Sequence, residues 1–206
     1  VATDGHKLVK IKNQTNEGDN QIIIPIKFFN IIDSYTSNTK EKTETLISKN
    51  HLSFKLNKTT ITTRLISEQY PDYESVIPKD NNKKLIVKTQ ELLSAVKRTS
   101  VLSNKTTKQV TLKIQENRII VSTEDQESVS SGSENVQCEY NEEEIVIAFN
   151  SNYLKEVLSH VVSDKVTILL KNSLSASIFL PGTDLNISNS SKTTLLMPIR
   201  INTHDV

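Results

Sequence analysis

The stretch IVIAFNSNYLKEVLSHVVSDKVTILL, Ile145 to Leu170, changes its hydrophobic period twice within a few turns of chain. Ile145, Ile147 and Phe149 alternate as in a half-buried strand. Leu154, Val157, Leu158 and Val161 then fall at helical spacing behind Asn150 or Ser151, either of which can cap the first turn through a side-chain oxygen. Val166, Ile168 and Leu170 return to period two, followed by Leu174, Ala176, Ile178 and Leu180. The order is strand, helix, then a meander of strands.

The same order is legible twice more upstream. Phe28, Ile31, Ile32 and Tyr35 form an apolar stripe just after Pro25, a residue suited to a first helical position. A second helix is expected from about Gln90 to Leu102, with Leu92, Ala95 and Val96 on one face and Thr89 as N-cap. Helix starts are thus spaced by about 60 residues. Strands are expected at Leu52, Phe54, Leu56 and at Val110, Leu112, Ile114. Asn57-Lys58, Glu116-Asn117 and Lys171-Asn172 stand where turns belong, because Asn tolerates left-handed backbone. One helix cannot cover a meander alone, so units are expected to pair into domains with helices packed on antiparallel sheet, an α+β architecture. Tyr70 to Lys84, with two prolines and a charged run, suits a linker. Glu124 to Asn135, polar except for Val129, reads as a loop, and Val1 to Lys12 as the last strand of a further unit.

Composition narrows the function. Lys and Arg number 25 against 24 Asp and Glu, a formal charge of +1, so bulk charge does not pull the 206-residue chain onto nucleic acid. With 4 glycines, none closely spaced, phosphate-cradling Walker and Rossmann loops are excluded and no nucleotide cofactor is expected. The single cysteine, Cys138, reads as a small buried core thiol on a strand, and no apolar run reaches a membrane-spanning length, so a cytoplasmic chain that meets no membrane is expected. His6, His51, His160 and His204 lack zinc-site spacing, and Glu142-Glu143-Glu144 reads as a solvated face; neither a metal nor a catalytic group is expected. The opening Val1-Ala2-Thr3-Asp4-Gly5-His6, without an initiator methionine, suggests part of something longer. Pro198 inside Leu195-Leu196-Met197-Pro198-Ile199-Arg200-Ile201 removes a backbone donor and predicts an edge strand with available side chains.

Together these pieces resemble the bacterial DNA polymerase III beta subunits, the sliding clamps. The resemblance rests on Val1 through Leu8, on Tyr70-Pro71-Asp72-Tyr73 followed by Val76-Ile77-Pro78, on Val101-Leu102-Ser103-Asn104, on Phe149-Asn150 with Tyr153, and on Met197-Pro198-Ile199-Arg200. It implies the DNA clamp fold, with residues 1–79 in the C-terminal portion of domain two and 80–206 in domain three with a short extension. It further implies a non-catalytic processivity factor that encircles duplex DNA as a homodimeric ring. Short peptide motifs of the polymerase catalytic subunit, clamp loader and repair proteins would dock in a hydrophobic pocket. One wall would be Thr3, Gly5, His6, Lys7 and Leu8, beside Pro71 and Val76. Asn150, Tyr153, Leu174 and Ala176 would face them, closed by Leu195, Leu196, Met197, Pro198, Ile199, Arg200 and Ile201.

The resemblance also turns Lys97, Arg98 and Lys155 toward DNA and places Val101, Leu102 and Glu127 at the ring interface, which this chain alone is not expected to close. Lys7 and Ser75 stand where arginine is common, Thr107 where some relatives have an aromatic, and Ile199 where methionine is usual. Asn202 to Val206 run past the usual family end. The alternative is a small cytosolic enzyme or ligand-binding protein with a cleft between its domains, which would need convergent titratable groups there.

Overall fold

In the computed structural model of the chain, residues 1–13, 21–37, 43–183 and 191–201 are described. The elements run β1 (Ala2–Thr3), β2 (Lys7–Ile11), α1 (Ile26–Thr36), β3 (Glu44–Ile47), β4 (His51–Leu56), β5 (Thr59–Arg64), β6 (Lys83–Lys88) and α2 (Thr89–Thr99). After a 3-10 turn at Ser100–Leu102 come β7 (Gln109–Gln115), β8 (Arg118–Asp125), β9 (Ser130–Glu139), β10 (Ile145–Asn150), α3 (Ser151–Ser159), β11 (Lys165–Leu170), β12 (Ser177–Pro181) and β13 (Lys192–Leu196). Helices thus begin at Ile26, Thr89 and Ser151, on the period the hydrophobic pattern predicts. The chain divides into two compact units, Thr15–Tyr73 and the remainder, Val1–Gln14 with Glu74–Val206.

The smaller unit is a helix followed by a three-stranded meander, with an isolated bridge from Ile23 to Ile66 before the helix. β3, β4 and β5 form a three-stranded antiparallel sheet whose β4–β5 turn carries Asn57 at φ 53°, the left-handed conformation expected there. Leu52, Phe54 and Leu56 alternate inward and pack with Phe28 and Leu65. Of the expected α1 stripe, Phe28 is buried and Ile32 packs beside it, whereas Ile31 and Tyr35 are exposed.

The larger unit is two strand-helix-meander elements sharing one core. Its ten strands run in the order β1-β2-β13-β12-β11-β6-β9-β8-β7-β10. The join between its two ladders is narrow, Ile86 and Val87 of β6 opposite Glu139 and Cys138 of β9. α2 and α3 pack against each other, α2 also against β6, β8 and β9, and α3 against β10 and β13. Leu92, Val96, Leu154 and Leu158 from the helices fill the core together with Ile147, Phe149, Ile168, Phe179 and Leu196 from the strands. On the opposite sheet face Leu169, Ile178 and Leu180 form a smaller cluster covered by Ile77. No described helix is long and apolar enough to cross a membrane.

Four local expectations are corrected. Residues 130–135 are strand rather than loop: β9 pairs with β8 from Asp125–Ser130 to Arg118–Gln137, so backbone bonding orders a segment with almost no apolar side chains. Thr89 is not the cap of α2; its hydroxyl donates to the Ser163 carbonyl, and Lys88 precedes the helix without a side-chain cap. Leu174 lies before β12, in a loop turned by Asn172, whose Oδ1 accepts from the Leu174 and Ser175 amides. Finally, β13 lies between β12 and β2 and ends at Leu196, so it is no edge strand; Pro198 falls beyond it and removes no ladder bond.

Candidate functional site

The hairpin β1–β2 is closed by a turn in which side chains replace absent ladder bonds. Asp4 Oδ1 accepts from the His6 amide at 3.0 Å and the Lys7 amide at 2.9 Å, and Thr3 Oγ1 donates to the Lys7 carbonyl at 2.9 Å. Gly5 takes φ 86°, where a β-carbon would be strained. This fixes His6 and Lys7 at the end of β2, where β13 also ends: the Met197 amide donates to the His6 carbonyl at 2.9 Å.

Across the core, Asn150 caps α3 by accepting from the Asn152 amide at 3.0 Å, placing Tyr153 in the helix's first turn. The His6 ring stacks on Tyr153 at 5.5 Å between centroids, and Lys7 Nζ lies 4.5 Å from the same ring centroid. Lys7 Nζ also bonds Glu156 Oε2 at 2.8 Å and approaches Asp4 Oδ2 to 3.2 Å. Burial alone would pull the Lys7 ammonium down, but its hydrogen bonds to Glu156 and Asp4 hold it above the ordinary lysine value. For Asp4 burial works upward, yet the Lys7 and His6 amides and the ammonium win and keep the carboxyl below its usual range.

Register divides the apolar residues between two faces. Leu195 sits opposite Leu8 and Ile178, and Leu196 opposite Lys7 and Ser177, so successive residues of β13 serve opposite sides of the sheet. Leu196 belongs to the main core and supports the site from beneath; Leu8, Leu195 and Ala176 are buried as well. The expected pocket residues whose apolar side chains remain exposed are Met197, Leu174 and Val76, at 42%, 60% and 55%. Beyond Met197 the chain crosses to the edge of β10, where the Ile199 amide donates to the Ala148 carbonyl at 2.7 Å. Pro198 and Ile201 are half-buried there and Arg200 is exposed. Pro71 belongs to the smaller unit, between Tyr70 and Tyr73, whose rings meet edge-on. Asn202 to Val206 lie outside the described residues.

Asp4 and Glu156 carry the polar geometry, yet neither is among the pocket residues that the resemblance implies. The signals were present: an Asp-Gly pair is a turn former, and Glu156 follows Tyr153 by three residues on one helix face.

The other expected surfaces are distinct. Arg98 is closed on Glu134 through two bonds of 2.7 and 2.6 Å, Lys155 Nζ lies 3.2 Å from Ser100 Oγ, and Lys97 is exposed. Val101 is 80% exposed on the 3-10 turn after α2. Leu102 lies against Gly132 of β9, where a β-carbon would come within 2.8 Å of Leu102 Cδ1. Glu127 sits in the β8–β9 turn, organised by Asp125, whose carboxylate accepts from Ser128, Asn104 and the Glu127 amide and is held low by those bonds. Among the described strands, β9 pairs on its outer side only at Cys138 and Glu139, leaving residues 130–137 as an open edge. Cys138 is partly buried and its thiol is pushed up to about 11, which suits packing rather than nucleophilic chemistry. No group of three or more metal-ligating side chains occurs among the described residues.

Comparison with known proteins places these features in a family. Residues 74–200 match the family model of the DNA polymerase III beta subunit, C-terminal domain, and residues 1–72 that of its central domain. Among curated relatives, the beta sliding clamps of Haemophilus influenzae and Pseudomonas aeruginosa are 29% and 26% identical over 98% of this chain. The chain spans about half of their length, 54% in each. A crystal structure of the Pseudomonas aeruginosa sliding clamp bound to griselimycin superposes with a TM-score of 0.88 at 26% identity, covering 97% of this chain and 53% of that one. The Bartonella birtlesii clamp, also bound to griselimycin, gives 0.88 at 27% identity with the same coverage.

Proposed function

Because this chain belongs to the DNA polymerase III beta-subunit family, we propose that it is the central and C-terminal portion of a sliding clamp, a non-catalytic processivity factor of the cytoplasm. In the complete protein it would help encircle duplex DNA and bind the polymerase, clamp loader and repair proteins through short peptide motifs. The observation that carries this reading is the meeting of His6, Lys7, Tyr153 and Met197 at the shared end of β2 and β13, together with a Leu174 left exposed in the loop before β12. Polar backbone and apolar side chains adjoin there, the combination that lets a peptide bury side chains while a few hydrogen bonds orient it.

Ring closure is proposed at the open edge of β9 with Val101, Leu102 and Glu127, where another subunit can add a strand and cover an exposed aliphatic residue. DNA contact is proposed through Lys97, with Arg98 and Lys155 as secondary cations.

The test is titration of a fluorescein-labelled peptide carrying glutamine, leucine and phenylalanine into the chain and into a folded L174A/M197A variant. Burying a side chain of that size is worth about 1.5–3 kcal/mol, against about 0–1 for an exposed ion pair, so the double variant should bind at least tenfold more weakly. Equal binding by the two proteins would remove the peptide site from these residues.

A further inference from the structure

Leu174 stands in a loop between β11 and β12 and is one of the most exposed leucines of the larger unit. Such a side chain binds well only if its loop is already ordered, since ordering on binding subtracts from affinity. Within the loop, Asn172 Oδ1 accepts from the Leu174 and Ser175 amides at 2.9 and 2.8 Å. Those bonds shape the tip but do not tie it to the rest of the protein.

The tie comes from a segment distant in sequence. Asn81 Nδ2 donates to the Leu169 carbonyl at 3.0 Å and to the Ala176 carbonyl at 2.9 Å, one on each side of the loop's neck. Beside it, Asp80 bonds Lys171 Nζ at 2.5 Å, holding the first residue after β11. The amide has a single workable orientation, because turning it over would set its oxygen against two carbonyl oxygens. Its own oxygen is buried and has no partner. A polar atom left unsatisfied is a standing cost, and the two bonds across the neck are what this side chain supplies in return.

We propose that Asn81 is the positioning residue of the peptide site: it pinches the neck of the 171–176 loop and so presents Leu174 in a binding-ready place. This rests on the reading of Leu174 as part of that site. Asn81 need not touch the peptide. It acts through the loop, so its contribution disappears when Leu174 is removed.

The experiment is a double-mutant cycle on the whole chain: the parent, N81A, L174A and N81A/L174A, each titrated with the fluorescein-labelled peptide, with amide hydrogen exchange followed at Leu174 and Ser175. N81A also deletes the unpartnered oxygen, which limits its effect on global stability. The expected result is a roughly three- to tenfold loss of affinity in N81A, faster exchange at both amides, and no further loss on adding N81A to L174A. K171Q, which breaks only the exposed ion pair, should change affinity less than about twofold. Equal losses from N81A with and without Leu174, or parental affinity and exchange in N81A, would overturn the proposal. A parent that binds no motif peptide would overturn the peptide reading instead, and the exchange data would still decide whether Asn81 fixes the loop.

Discussion

Lys7 places its ammonium 4.5 Å from the centre of the Tyr153 ring, so β2 and α3 are joined by a cation on an aromatic face as well as by the core beneath. With His6 stacked on the same ring, Tyr153 is held from two successive residues, His6 at the end of the turn and Lys7 at the start of β2. The Asp4 turn determines where both residues sit.

That turn gives a pH dependence. The Asp4 carboxyl is depressed in the folded state, so its stabilisation is present above its unfolded value and is lost as pH falls through the lower folded one. Lys7 is raised, so its share is complete below the unfolded lysine value and is lost only as pH rises through the folded one, in strong alkali. NMR titration of the Lys7 amide should therefore show an acid transition below the ordinary aspartate range. D4N should abolish it; an unchanged transition in D4N would assign it to another group.

Asn150 offers a stability test independent of ligands. Its oxygen satisfies the Asn152 amide at the start of α3, and the helix positions Tyr153 and Glu156. N150A should cost about 1 kcal/mol in urea denaturation with an unchanged slope. A loss below about 0.3 kcal/mol would mean that core packing alone fixes the helix start.

Gly132 makes room for Leu102 on β9. The atom a new β-carbon would meet is the far end of a flexible side chain, so G132A should cost only about 0.5–1 kcal/mol in thermal melting while moving Leu102. If Leu102 and this edge close the ring, assembly with the remaining part of the clamp should weaken in sedimentation well beyond that stability change.

Much of the architecture was legible because hydrophobic spacing carries it. Leu154, Val157 and Leu158 are buried on α3 as their stripe requires, and Asn57 and Asn117 adopt the positive φ their turns demand. Failures came where backbone bonding rather than side-chain burial decides. Residues 130–135 are strand because β8 is beside them, and their own serines and glycine give no such signal. Likewise Pro198 suggested an edge only because the strand's end at Leu196 cannot be read from an apolar run that continues to Ile201. At the candidate site the aromatic and apolar residues were recognisable through family resemblance. Asn81 and Glu156 were not assigned to the site because their partners lie up to 149 positions away, and Asp4, though quoted in the opening stretch, was not assigned to it because the turn it closes is built on backbone amides.

The proposed DNA face leads to the sharpest electrostatic test. Arg98 would be expected to meet phosphate, yet both bonds of its guanidinium fork go to Glu134, which is correspondingly depressed while Arg98 is raised. A cation already neutralised releases little when it approaches DNA, so R98A should change non-specific duplex affinity less than K97A does. E134Q weakens the hold on the fork and frees one charge. In fluorescence anisotropy with a labelled duplex at low salt, E134Q should bind more tightly than the parent. Its log–log salt dependence should be steeper by about 0.9, the increment for one added phosphate contact. The gain should be the same for unrelated sequences, because phosphate contacts position without reading bases. Parental affinity and slope in E134Q would place Arg98 away from the DNA path and make its pairing with Glu134 a structural tie between α2 and β9.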